Sequence, residues 1–77
     1  MDNEFLKNIG KNFKRLVYEK KILKKHIVID LGISMNTLKR IESGFNVNVL
    51  TLHKIAKYMN IDINEFFKAN LWIEKNL

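Results

Sequence analysis

Four side chains that can hydrogen-bond to the edges of nucleic-acid bases recur at helical spacing in the middle of the chain. Asn36, Lys39, Arg40 and Ser43 lie at i, i+3, i+4 and i+7, which places them on one face of a helix. Asn can pair with N6 and N7 of adenine, and Lys or Arg can donate to N7 and O6 of guanine. Leu38 and Ile41 point the other way, with Thr37 at their edge and Met35 flanking the polar face. A short helix with an apolar back and an Asn/Lys/Arg front has the size of the DNA major groove, about 12 Å wide. On composition alone Lys39 and Arg40 are ordinary surface residues. Their place on the outer side of one short helix favours contact. Met35 reads as a helix-start filler or a neighbour of the backbone before it reads as a base contact.

The elements that must hold this face follow from local signals. Ser34 is a good N-cap, and Gly32 and Gly44 are good helix stops because glycine accepts positive φ. They bracket two short helices, Lys24 to Leu31 and Met35 to Ser43, joined by a tight turn. Upstream, Leu6, Ile9, Phe13, Leu16 and Val17 cluster on one side of a helix from about Phe5 to Lys21, with Lys7, Lys11, Lys14, Tyr18 and Lys21 opposite. Downstream, Asn48 caps a fourth helix through Leu52, Ile55, Ala56 and Met59, which leaves through Asn60. Asp62 starts a fifth that turns Ile63, Phe66 and Phe67 inward, with Glu65 suiting its positive end. The tail from Lys68 to Leu77 permits more helix. Two stretches speak for strands: His26–Ile29 is β-branched, and Phe45–Val49 alternates with period two. The glycines and caps fit helices better, so the expected fold class is all-α with five helices.

The 77 residues carry 14 Lys+Arg against 8 Asp+Glu, a formal net charge of +6, which suits a polyanionic partner. Twelve of the basic residues are Lys, a compositional bias with no mechanism attached. The basic face of the first helix is on composition a solvated face. Lys20, Lys21, Lys24 and Lys25, next to the central motif, are better placed for contact. With no cysteine, disulfides and Cys-based zinc sites are excluded. His26 and His53 have no second ligand at metal spacing and no adjacent nucleophile. The glutamates form no paired-carboxylate site, and there is no Gly-rich phosphate loop. No enzyme activity, cofactor, metal or small-molecule ligand is expected. No apolar run exceeds three residues, far short of a membrane span, and the start Met1-Asp2-Asn3-Glu4 lacks the features of a signal peptide. A cytoplasmic protein is expected.

The stretch Ile22 to Gly44, ILKKHIVIDLGISMNTLKRIESG, resembles the helix-turn-helix of the Cro/repressor family of phage and bacterial regulators. Matching positions are Ile27 and Leu31, Gly32-Ile33-Ser34, Thr37-Leu38, Ile41-Glu42 and Gly44. IGKNFKRL at Ile9–Leu16 is similar to the family's first helix, and LTLHKIAKYMNIDINEFF at Leu50–Phe67 to its fourth and fifth. The resemblance implies one helix-turn-helix domain over residues 1–77, with helices two and three as the motif at about 22–44. It implies sequence-specific binding of double-stranded DNA as a homodimer on a palindromic operator. Met35, Asn36, Lys39 and Arg40 then occupy positions that read bases or the adjacent backbone, with Ser43 on the same face. Ser34 and Lys24 occupy phosphate-contact positions.

The chain departs from the family in four places. Lys24 stands where Gln is frequent, and Val28 where a small residue is usual. Val17 replaces an Arg that pairs with the family's equivalent of Glu42, so Glu42 needs another partner, which the sequence does not identify. The loop Phe45–Val49 has no Lys or Arg, where relatives are often basic.

So short a chain has a thin core and gains from self-association. Phe66, Phe67, Leu71, Trp72 and Ile73 are too many apolar side chains for one short helix to bury beneath itself. Local packing could absorb them. The preferred reading makes Phe67, Leu71 and Trp72 a dimer patch in a C-terminal segment of about 62–77. Restriction–modification controllers and phage or mobile-element repressors are the nearest subclasses. The competing reading is a protein-interaction module, such as an antitoxin or accessory subunit on the same fold.

Overall fold

The computed structural model describes residues 4–69. Four α-helices follow in order: α1 (Glu4–Glu19), α2 (Lys24–Leu31), α3 (Met35–Glu42) and α4 (Val49–Met59). A short 3-10 helix, Ile63–Phe67, closes the series. There is no strand among the described residues. Ile27 of the β-branched stretch is fully buried beneath α2, because its place in the core outweighs the local strand preference. In α1, Ile9, Phe13 and Leu16 are buried, while Leu6 and Val17 pack half-buried at the core's edge. They meet Leu38 and Ile41 of α3, Leu52, Ile55, Ala56 and Met59 of α4, and Phe66.

The helix ends obey local chemistry. The Thr37 N–H donates to Ser34 Oγ at 3.1 Å, Leu50 N–H to Asn48 Oδ1 at 2.7 Å, and Asn64 N–H to Asp62 Oδ1 at 2.8 Å. Each satisfies a first-turn donor that the helix itself leaves open. Gly32, Gly44 and Asn60 all adopt positive φ. Lys21 does so too, at φ 54. It ends α1 with the paired bonds Ile22 N–H to Val17 O and Lys21 N–H to Tyr18 O, the arrangement that usually employs glycine.

The expected fifth α-helix is corrected to a 3-10 turn. The Glu65 N–H bonds back to Asp62 O at 2.9 Å, and Lys68 is already extended at φ −67, ψ 144. Carbonyls that a longer helix would use are taken by α1. Asn12 Nδ2 donates to Phe66 O at 2.8 Å and to Lys68 O at 2.7 Å, and Asn8 Nδ2 donates to Lys68 O at 2.8 Å. Phe66 is thereby held fully buried, tilted against Phe13.

Candidate nucleic-acid interface

Helix α3 is held from behind. Leu38 and Ile41 are buried, and its C-terminal turn lies directly on α1. A Cβ added to Gly10 would come to 2.5 Å from Ile41 O and 2.7 Å from Glu42 O, so only a glycine permits this approach. The partner of Glu42 is Lys24, whose Nζ lies 3.0 Å from Oε2 and 3.2 Å from Oε1. This ion pair ties the start of α2 to the end of α3 and replaces the Arg absent at Val17. Beside Val17 runs an open groove of about 600 Å³, lined also by Lys14, Tyr18, Lys21 and Leu23. Val28 is half-buried against the core. A second tie joins α2 to α4: Tyr58 Oη donates to Asp30 Oδ2 at 2.6 Å. Asp30's hydrogen bond holds the Tyr58 phenol above its usual range, with burial and the carboxylate's charge acting in the same direction.

The outer face of α3 is free of such ties. Asn36, Lys39, Arg40 and Ser43 are exposed together, with Met35 and Thr37 half-buried at the margin. The face carries two cations, and the one acid on α3, Glu42, is paired with Lys24. Ser34 is exposed at the start of α3, and its hydroxyl both caps the Thr37 N–H and shares a 2.9 Å hydrogen bond with Thr37 Oγ1. The Arg40 guanidinium lies over the Phe45 ring, 4.7 Å from its centroid.

The structure thus brings six of the seven expected nucleic-acid contacts, Ser34, Met35, Asn36, Lys39, Arg40 and Ser43, to the start and outer side of α3. Lys24 sits apart at the α2–α3 seam, engaged with Glu42. Of the expected dimer residues, Phe67 is partly exposed (37 %) and stacks on Phe5 with ring centroids 5.8 Å apart. Leu71 and Trp72 lie outside the described residues.

Four residues matter more than the sequence signalled. Gly10 stands on the buried side of an amphipathic helix, and that position was its one visible sign. Asn12 is a buried polar residue whose carboxamide both donates to the 3-10 segment and accepts from Arg15. Phe5 gave no periodic signal, and the period-two alternation that begins at Phe45 pointed to a strand. His26 and His53 are exposed, and no group of three or more His, Cys, Asp or Glu is placed to hold a metal among the described residues.

A family model, the Cro/C1-type HTH DNA-binding domain, matches residues 12–71. The chain belongs to this family. No curated protein and no solved structure matches it. As a Cro/C1-type protein it is a DNA-binding regulator, and the match takes in α2, α3 and α4 whole together with the second half of α1. No helix among the described residues is long and apolar enough to cross a membrane.

Proposed function

We propose that the protein is a sequence-specific transcriptional regulator that binds a palindromic operator as a homodimer, with α3 entering the major groove. One observation carries the reading. Asn36, Lys39, Arg40 and Ser43 share one exposed face, while Leu38 and Ile41 fix the same helix from the core side. In this reading Asn36, Lys39 and Arg40 read base edges, and Met35 and Ser43 border them. Ser34 lies beside phosphate at the helix start. Lys24 braces Glu42 and would reach the phosphate backbone only by releasing it. Two such helices about one turn of DNA apart, roughly 34 Å, would meet successive half-sites.

The exposed stack of Phe5 and Phe67 supports a dimer surface at that corner, which Leu71 and Trp72 would extend. A restriction–modification controller or a phage-type repressor suits a DNA-reading unit joined to a dimer patch. A second reading is favoured by the apolar rim after α3. Phe45, Val49 and Leu50 are exposed there, as suits a protein-interaction module such as an antitoxin or an accessory subunit.

Binding selection from random duplexes, followed by titration of the enriched sequence across salt, separates the two. A regulator enriches a two-fold symmetric motif and binds it with a steep salt slope. Equal, weak binding to every duplex would exclude it in favour of the interaction module. Sedimentation checks the assembly: Phe67→Glu is expected to yield a monomer, and an unchanged dimer would place the interface elsewhere.

A further inference from the structure

The end of α3 is built from a pair of backbone bonds that reach across a left-handed glycine. Phe45 N–H donates to Arg40 O at 3.0 Å, and Gly44 N–H donates to Ile41 O at 3.2 Å, with Gly44 at φ +83. In this type of helix stop, the residue after the glycine lies next to the residue five positions earlier, and an apolar contact between the two is common. Here the two are Phe45 and Arg40. The contact is made by the guanidinium over the ring, 4.7 Å from its centroid.

This arrangement fixes a long, flexible side chain without neutralising it. A carboxylate partner would cancel the charge, as Glu42 does for Lys24. An aromatic face attracts the cation yet leaves its N–H groups in the ring's outer surroundings free to donate. Phe45 is itself 53 % exposed and stands outside the buried core. Ordering Arg40 before binding removes part of the entropy that its capture by a base would otherwise cost.

We propose that Phe45 is a specificity-determining positioning residue: through the helix stop at Gly44 it holds Arg40 ready to pair with a guanine edge. The proposal rests on the DNA-reading role of α3, and the experiment keeps the two apart. Binding selection from random duplexes is run with the wild type and with Arg40→Ala, Phe45→Ala, Phe45→Leu and Phe45→Tyr, each checked for an unchanged helical spectrum.

The wild type is expected to enrich a motif with a fixed guanine, and Arg40→Ala to lose preference at that position by about tenfold. Phe45→Ala and Phe45→Leu are expected to lose about two- to fivefold at the same position. The other positions and the salt slope should hold, and Phe45→Tyr should restore the preference. Leucine is the decisive variant, since it keeps an apolar helix stop but removes the ring. Wild-type guanine preference in Phe45→Leu would reduce Phe45 to a structural stop and overturn the proposal. So would a uniform loss on all sequences with a shallower salt slope in Arg40→Ala, which marks a phosphate contact. A wild type that enriches no motif removes the DNA-reading role itself, and this one with it.

Discussion

On its inner side α3 meets α1 with no space to yield, since the Ile41 and Glu42 carbonyls occupy the room a side chain at Gly10 would need. On its outer side Asn36, Lys39 and Ser43 face solvent, and Arg40 rests on a partly exposed ring. Two cations of the motif show the same contrast. Lys24 is neutralised against Glu42 at the seam, whereas Arg40 is oriented with its charge intact. Contacts behind the helix set where it is; contacts in front set what it presents. A change behind should therefore show first in stability, and a change in front in binding alone.

Gly10→Ala is the strongest way to break this comparison. The added methyl meets backbone carbonyls, which cannot swing aside, so α3 must move. A loss of about 3 kcal/mol in stability is expected, the upper part of the usual overpacking range, read by denaturant unfolding. An equally stable variant would mean that the inner side has slack after all. Next, Lys39→Ala should leave stability unchanged and weaken binding by about 2 kcal/mol, with relaxed sequence preference if it touches a base edge. A uniform loss on every duplex would make it a phosphate contact instead.

Lys24→Met sharpens the middle case. It leaves the half-buried Glu42 carboxylate unpaired, and a stability loss of about 1 kcal/mol is expected, the top of the range for exposed ion pairs. If stability holds while binding falls, Lys24 belongs with the outer face.

The smallest effect concerns Tyr58. Its phenol is held above the ordinary value by the bond to Asp30, so the neutral form is favoured in the folded state. The stabilisation is fully present below the unfolded phenol's pKa of about 10 and is lost as pH rises through the higher folded value. Tyr58→Phe should remove that part of the alkaline destabilisation, measured by thermal melting from pH 8 to 11, and leave DNA binding at neutral pH unchanged.

What could be read from the sequence was local. Ser34, Asn48 and Asp62 cap helices by bonding to N–H groups two or three residues on, and Gly32, Gly44 and Asn60 end them. These signals act within one turn. The outer face of α3 was equally legible, because side-chain direction in a helix follows from spacing. What stayed hidden depended on approaches between distant segments. Lys24 and Glu42 are separated by a turn and a helix, and Gly10 matters because α1 happens to cross the end of α3. The last helix is tightened by Asn12, 54 residues upstream of Phe66. Arg40 and Phe45 are near neighbours in sequence, yet their contact exists only because the backbone reverses at Gly44. Lys21 hides its role for a related reason: nothing in a lysine announces a left-handed turn.

The grip of Asn12 and Asn8 on the carbonyls of Phe66 and Lys68 has a mechanical consequence. It anchors the chain's exit at Ala69 to the same helix that carries Gly10 under α3. The 3-10 segment and Lys68 are therefore fixed in position with respect to the presenting face. Through α1 these three hydrogen bonds couple the position of the 3-10 segment to that of α3, as the pivot of a caliper joins its arms.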